Sequence, residues 1–538
     1  MPGLALIAAT VWGAAGALAH SPDGDPTGRQ RGLAVLVSGG RVVAVVPAAE
    51  AGSLGADRVV DLGDVTLMPG FVDAHVHLTT TGLALQGADL GGARSAADLL
   101  ERVRAVAAGP GSGPVWGDGY DDATFATPEL PGPEELAEAA GGRPAYLSRV
   151  DGHQGLATLD LLAAAGALDA SGCERGPDGT PTGVVRDDAN HRARRHVRDL
   201  LPDAAVVAAQ DCALAHAARR GVACVHEMAG PDIAGRRDFE LLLDRVHSLP
   251  VEVVCYWGGL DLEYVLERKL SQIGGDLFLD GSLGARTAAL STPYEDRPDT
   301  RGSLYLDDDD LAELYVRATM AGVQVGVHAI GDRAIGQALR CARRAVHTMG
   351  RAAFASCRHR IEHAELLGSD GAERMADLGL AASVQPAFDA AWGGPGGMYE
   401  QRLGQRRTKS MNPFGDLWRR GVPMGGSSDS NVTPLEPWHG VAAAVNHQRR
   451  QQRLGLPVAL ELFTLGGRVL ARQERVTGRI EPGERADLTA FTGDVLTADP
   501  RKLVGTDAVF TMVGGRLAHG PQELCLETAA TLSGRTRT

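Results

Sequence analysis

Cysteine is scarce and scattered. The chain of 538 residues holds seven (Cys173, Cys212, Cys224, Cys255, Cys341, Cys357, Cys525), an odd number with no C-x-x-C, which excludes both a disulfide framework and a cysteine zinc knot and places the protein in a reducing cytoplasm. There is no long basic stripe, and the formal net charge is -14, so nucleic acid is not the expected partner. Low-complexity tracts that would imply broad disorder are also missing. The apolar stretch Leu4 to Leu18 ends in Ala17-Leu18-Ala19, which resembles a cleavage site, but no Lys or Arg precedes Arg29. Without a charged leading segment, and short for a span, it reads as neither secretory signal nor membrane anchor.

What is present is a change of texture. Leu4-Ile7, Ala34-Val37, Arg41-Val46 after the Gly39-Gly40 turn, and Val59-Asp61 read as short strands of an N-terminal β module. From about Thr66 short apolar runs alternate with alanine-rich stretches of helical period, among them Ala204-Arg220, Leu311-Ala321, Arg333-His347 and Ala372-Leu378. Strands ending near His77, His153, His226, Asp280, His328, His363, Gln385 and Asp429 make eight, the count of a (β/α)₈ TIM-type barrel. The expected division is a composite β-sandwich from residues 1–66 and 476–526, a barrel over 67–475 with an inserted subdomain at about 86–143, and a disordered tail at 527–538.

His75-Val76-His77 closes the first of these strands. Alternate side chains of a strand share a face, so the two imidazoles point the same way and can share one divalent cation; the plainer alternative is a pair of structural histidines. Barrel active sites lie at the C-terminal ends of the strands. There His328, His363 and Asp429 join the pair, making five ligands from four apolar runs.

The order of Gly70 to His77, Val150-Asp151-Gly152-His153, Asp280 to Ala288, His328 to Ala334, Arg360 to Glu365, Ser428-Asp429-Ser430, Pro434 to Trp438 and Gly478 to Leu488 resembles the amidohydrolase superfamily, specifically amidohydrolase family 3, which includes the N-substituted formamide deformylases. The resemblance covers nearly the whole chain. It implies a metal-bearing barrel that hydrolyses amide-type C–N bonds, with the metal on His75, His77, His328, His363 and Asp429. It also implies a lysine, carboxylated to bridge two metals, four residues before the Asp-Gly-Ser phrase, where this chain has Asp276. Asp276 is shorter, so the site holds one or two divalent ions, zinc by preference, with Asp276 either a direct ligand or an ion-pair partner.

The chemistry expected is attack on the carbonyl carbon by metal-generated hydroxide, with Asp429 shuttling the proton to the departing nitrogen. His153 is a candidate for stabilising the oxyanion, or else a histidine that satisfies a loop; His226 is left out. Trp116, Tyr120, Asp280, Arg286 and Trp392 are the candidate substrate contacts, Trp392 within the glycine-rich loop Ala391 to Tyr399, and Arg286 alternatively a structural ion-pair partner. The expected partner is a small molecule, in a monomer or homodimer. The competing readings are a metal-poor binding protein on the same barrel and an isomerase or lyase.

Overall fold

The computed structural model describes residues 3–13, 29–53, 55–109, 113–127, 129–150, 152–231 and 233–525; the Ala17-Leu18-Ala19 triplet and the segment 527–538 lie outside the described residues. Eight parallel strands form a barrel: β1 (Phe71–Val76), β2 (Val222–Ala229), β3 (Glu252–Trp257), β4 (Gln272–Ile273), β5 (Gln324–Ala329), β6 (Arg360–His363), β7 (Ala381–Val384) and β8 (Met424–Gly426). β1 pairs with β2, β2 with β3, and β4 through β8 pair in order. Gly274 N to Trp257 O, 2.8 Å, joins β3 to β4, and Val76 bridges Ser430 to close the ring. Every residue of β1, β2 and β5 is buried, as strands covered on both faces require.

The helices that cover the barrel follow the expected positions. One spans Asp308–Ala321, with three aspartates complementing the dipole in its first turn and Gly322 ending it at φ 69°.

The two chain ends meet in one eight-stranded sheet. Val65–Pro69 pairs parallel to Gly3–Trp12 on one side and antiparallel to Leu488–Thr492 on the other. The sheet rolls back on itself: the Gly39-Gly40 turn lies so close to Gly514-Gly515 that a Cβ on Gly515 would sit 2.8 Å from the Gly40 Cα. The expected sandwich is therefore a single, continuously bonded, rolled sheet with one apolar core. Beneath the barrel Glu252, at the start of β3, ties it to this sheet through Arg468 (2.6 Å) and Arg485, both of which also hold Asp487.

Between β1 and β2 the chain builds a separate six-stranded sheet from Ala88–Asp89 to Pro181–Arg186. This corrects the strand assignment. Gln154–Ala157, which follows His153, pairs antiparallel with Ala145–Arg149 and Pro181–Arg186, so it belongs to this sheet and not to the barrel. The barrel strand that takes its place, β3, ends in Trp257, with no histidine or aspartate along it to mark it as a ligand strand. Likewise β2 runs past His226, and β4 ends before Asp276.

Candidate metal centre

His75, His77, Asp276, His328, His363 and Asp429 converge at the C-terminal mouth of the barrel, and all are buried. Asp276 Oδ2 lies 3.4 Å from His75 Nε2 and 3.2 Å from His77 Nε2, while Asp429 Oδ1 lies 3.5 and 3.1 Å from the same two nitrogens. Ligands held about 2.0–2.1 Å from one tetrahedral ion stand about 3.3–3.4 Å apart, so these four atoms have the spacing of a first coordination set. The other carboxylate oxygen, Asp276 Oδ1, is 3.4 Å from His328 Nδ1 and 3.7 Å from His363 Nε2, which makes a second set sharing the same aspartate.

Asp276 reaches this point because its backbone is drawn inward. Gly274 and Gly275 precede it at φ 83° and 79°. A Cβ on Gly274 would meet Gly326 O at 1.9 Å and one on Gly275 would meet Met228 Sδ at 2.3 Å, so only glycines permit the approach. The short side chain is offset by a close main chain.

The donor set fits a cation on a second ground. Among the described residues, His75 Nε2, Asp276 Oδ1, His328 Nδ1 and His363 Nε2 are buried without a hydrogen-bond partner. Four such orphans facing one another would cost about 1–3 kcal/mol each; a divalent ion satisfies them together.

Each imidazole is held from behind. His75 Nδ1 lies 2.9 Å from Glu362 Oε2, His77 Nδ1 3.0 Å from Met228 O, and His363 Nδ1 2.9 Å from Gln385 Oε1, contacts that direct the remaining nitrogen into the site. Glu362 is clamped by Arg360 through two hydrogen bonds, and Arg360 also donates to Tyr256 Oη, Ala74 O and His226 Nδ1. His226 thus sits beneath the site as an acceptor, its pKa held far below the usual range by burial and by Arg360.

Two ligands owe their direction to strained backbone. Arg360 and Glu362 alternate into the barrel interior, and strict alternation would turn His363 away. Left-handed conformations at His363 (φ 68°) and Ala364 (φ 50°) swing the ring back, and Asp429 (φ 55°) does the same after β8, at about 1–3 kcal/mol each.

Burial works against charge on Asp276, yet His75, His328 and His363 hold its carboxyl well below the usual range. Asp429 is likewise held low: burial is outweighed by His75 and His77. The same attraction raises the imidazoles. Burial pushes His77 down, but Asp276 and Asp429 lift it to about 9, and His75 rises well above its ordinary value for the same reason.

A cavity of about 90 Å³ adjoins this cluster, walled by Ile330, Phe388, Trp392, Met398 and Tyr399 on the barrel side and by His153, His191 and Arg194 from the inserted sheet and its following helix. It opens past His153, His191 and Phe278 into a cleft of about 1240 Å³. Trp392 is therefore beside the cluster, and so is His153, carried there by the insertion.

The remaining sequence candidates lie elsewhere. Trp116 packs on Tyr146 at 5.3 Å inside the insertion, and Tyr120 is fully buried there with its hydroxyl accepting from Gln154; neither lines the cavity or the cleft. Asp280 accepts from the backbone N–H groups of Ala289, Ile330 and Gly331 and is 3.8 Å from His328, so it braces the loops behind that ligand instead of facing substrate. Arg286 lines the outer cleft but is paired with Asp296 at 2.7 Å. Glu362 and Gln385, which hold the imidazoles, had only their strand positions to mark them.

The fold and the cluster together define a class, the metal-dependent amidohydrolases, which act on carbon–nitrogen bonds other than peptide bonds. The chain belongs to the amidohydrolase family: the model of that family matches residues 58–519. It is similar to the putative amidohydrolase YtcJ of Bacillus subtilis (28% identical over 498 residues, 86% of this chain and 90% of that protein). The N-substituted formamide deformylase of Arthrobacter pascens is 24% identical over 533 residues, covering 90% and 94%. Among solved structures, a metal-dependent hydrolase of Pyrococcus furiosus superposes with a TM-score of 0.73 at 28% identity, covering 92% of this chain and all of that one.

Proposed function

We propose that this protein hydrolyses a small non-peptide amide, an N-acyl or N-formyl amine or a related cyclic amide, with divalent cations, zinc by preference, that His75, His77, Asp276, His328, His363 and Asp429 would hold. The observation that carries the reading is the set of four buried, unpartnered ligand atoms around Asp276. A barrel kept only to bind a ligand, or only for structure, gains nothing from them. When bound, the cations supply Lewis acidity and bring the pKa of water from about 15.7 towards about 7.

The protein's own groups do the rest. His75, His77 and Asp429 would hold one cation and His328 and His363 another, with an oxygen of Asp276 beside each group. Asp429 lines the cavity beside His77 and takes the proton of the attacking water, then delivers it to the departing nitrogen, since an amine leaves poorly unless protonated. His153, entering from the insertion, donates to the oxygen of the tetrahedral intermediate. Phe388, Trp392 and Met398 receive an apolar acyl group and keep water from it. Seven cysteines without a disulfide support a reducing cytoplasmic setting, and no helix among the described residues is long and apolar enough to cross a membrane.

The test is metal analysis of protein purified without chelator, with a panel of N-formyl and N-acyl amines assayed alongside. About two ions per chain and amine release that His75→Ala abolishes are expected. Metal-replete protein that releases no amine from any member would overturn the reading.

A further inference from the structure

The helix Asp187–Asp199 that follows the inserted sheet brings one cation to the metal cavity. Arg194 is the sole lysine or arginine among the cavity's described lining residues. Its Nη1 donates to Gly152 O at 3.2 Å, its Nε is buried with no hydrogen-bond partner, and no carboxylate lies within ion-pair distance among the described residues. The contrast along the helix is sharp: Arg192, two residues away, pairs with Asp188 at 2.9 Å.

One turn further on, Arg198 is 2% exposed, and its Nε and Nη1 are also unpartnered. Two guanidinium groups four residues apart on one helix repel each other; Asp238 and Asp199 face Arg198 and Asp118 faces Arg194, none of them within ion-pair distance, so the Arg194 guanidinium keeps its Nε without a bonded partner. Arg194 is nevertheless anchored. The Gly152 carbonyl that it grips is also held by Asn190 Nδ2 at 3.1 Å, and Asn190 accepts from Tyr146 Oη at 2.7 Å, so the fork is fixed at the wall of the cavity beside His153.

We propose that Arg194 is the recognition group for a substrate carboxylate, so that the amide hydrolysed is of the N-acyl amino acid class. The apolar wall of Phe388, Trp392 and Met398 takes the acyl group, and the carboxylate of the amine half lies on Arg194. The freed amino acid leaves past His153 and His191 into the outer cleft. The small inner volume restricts the acyl group to a short one. A planar guanidinium with a free edge suits a planar carboxylate, which it can hold through two parallel hydrogen bonds. This inference rests on the amide-hydrolase reading for the reaction, but the binding of the carboxylate does not depend on turnover.

The experiment uses the metal-replete full-length protein and two ketones it cannot cleave at an amide bond: levulinate, the isostere of N-acetylglycine, and its uncharged methyl ester. Calorimetry should show levulinate binding about 10- to 100-fold more tightly than the ester. That preference should fall towards one in Arg194→Met and be partly restored in Arg194→Lys. Equal affinities in the wild-type protein, which need no variant to fold, would overturn the proposal, as would a preference that survives Arg194→Met. In parallel, N-acetylglycine and N-ethylacetamide are offered as substrates. Turnover of amides without carboxylate preference discards the Arg194 subsite and keeps the hydrolase; carboxylate preference without any turnover keeps the subsite and discards the hydrolase.

Discussion

His75 Nδ1 lies 2.9 Å from Glu362 Oε2, and both residues are fully buried. The contact fixes which nitrogen of His75 faces the metal centre, and Arg360 fixes Glu362 in turn. Glu362→Gln should weaken metal affinity roughly 10- to 100-fold, read by competition with a chromogenic chelator. Unchanged affinity would mean that Glu362 supports only the barrel interior.

Asp276 turns Oδ2 towards His75 and His77 and Oδ1 towards His328 and His363. Asp276→Asn removes the shared charge, so elemental analysis should fall from about two ions per chain to one or fewer, with kcat reduced by at least about 100-fold. Retention of both ions would show that the bridge is made by another group.

Loading the metal should release protons. Burial favours neutral imidazole, but Asp276 and Asp429 lift His77 to about 9, so it is charged at neutral pH in chelator-stripped protein, and they move His75 in the same direction. Ligands must be deprotonated, and calorimetric titrations in buffers of different ionisation enthalpy should report release of about one proton or more per chain at pH near 7. No buffer dependence would contradict this.

The base of the barrel predicts an acid limb of stability. Burial by itself would raise the Glu252 carboxyl, but Arg468 and Arg485 bring it from 4.5 to about 2. A carboxyl depressed on folding stabilises the folded state fully above its unfolded value and ceases to do so as pH falls towards its folded value. The contribution, roughly 3 kcal/mol, is therefore present above about pH 4.5 and lost towards about pH 2. Glu252→Gln should lower stability at neutral pH and flatten that limb in denaturant titrations. A parallel shift at every pH would point to packing instead.

Much of this was legible in the amino-acid sequence because barrel chemistry gathers at strand ends. His75, His77, His328, His363 and Asp429 close apolar runs, and they do converge. His153 was misplaced because a histidine after a short apolar run looks the same on an antiparallel strand of an inserted sheet as on a barrel strand. β3 presents the opposite case, ending in Trp257 with no histidine or aspartate to mark it. Trp116 and Tyr120 are aromatics of the right type whose burial depends on Tyr146 and Gln154, contacts that no local pattern encodes. Nor does helical spacing distinguish Arg192, paired with Asp188, from Arg194, which has no carboxylate within ion-pair distance among the described residues. The inward reach of Asp276 depends on Gly326 and Met228, far along the chain from Gly274-Gly275.

The pairing of Val65–Pro69 with Leu488–Thr492 also bears on how the protein is made. Translation at about 5–20 residues per second separates the two strands by roughly 20–80 s. Through that interval Val65–Pro69, fully buried in the finished fold, offers the side meant for Leu488–Thr492 to any extended chain nearby. Expression yield should therefore respond to chaperone supply during synthesis more than to changes in the stability of the completed barrel.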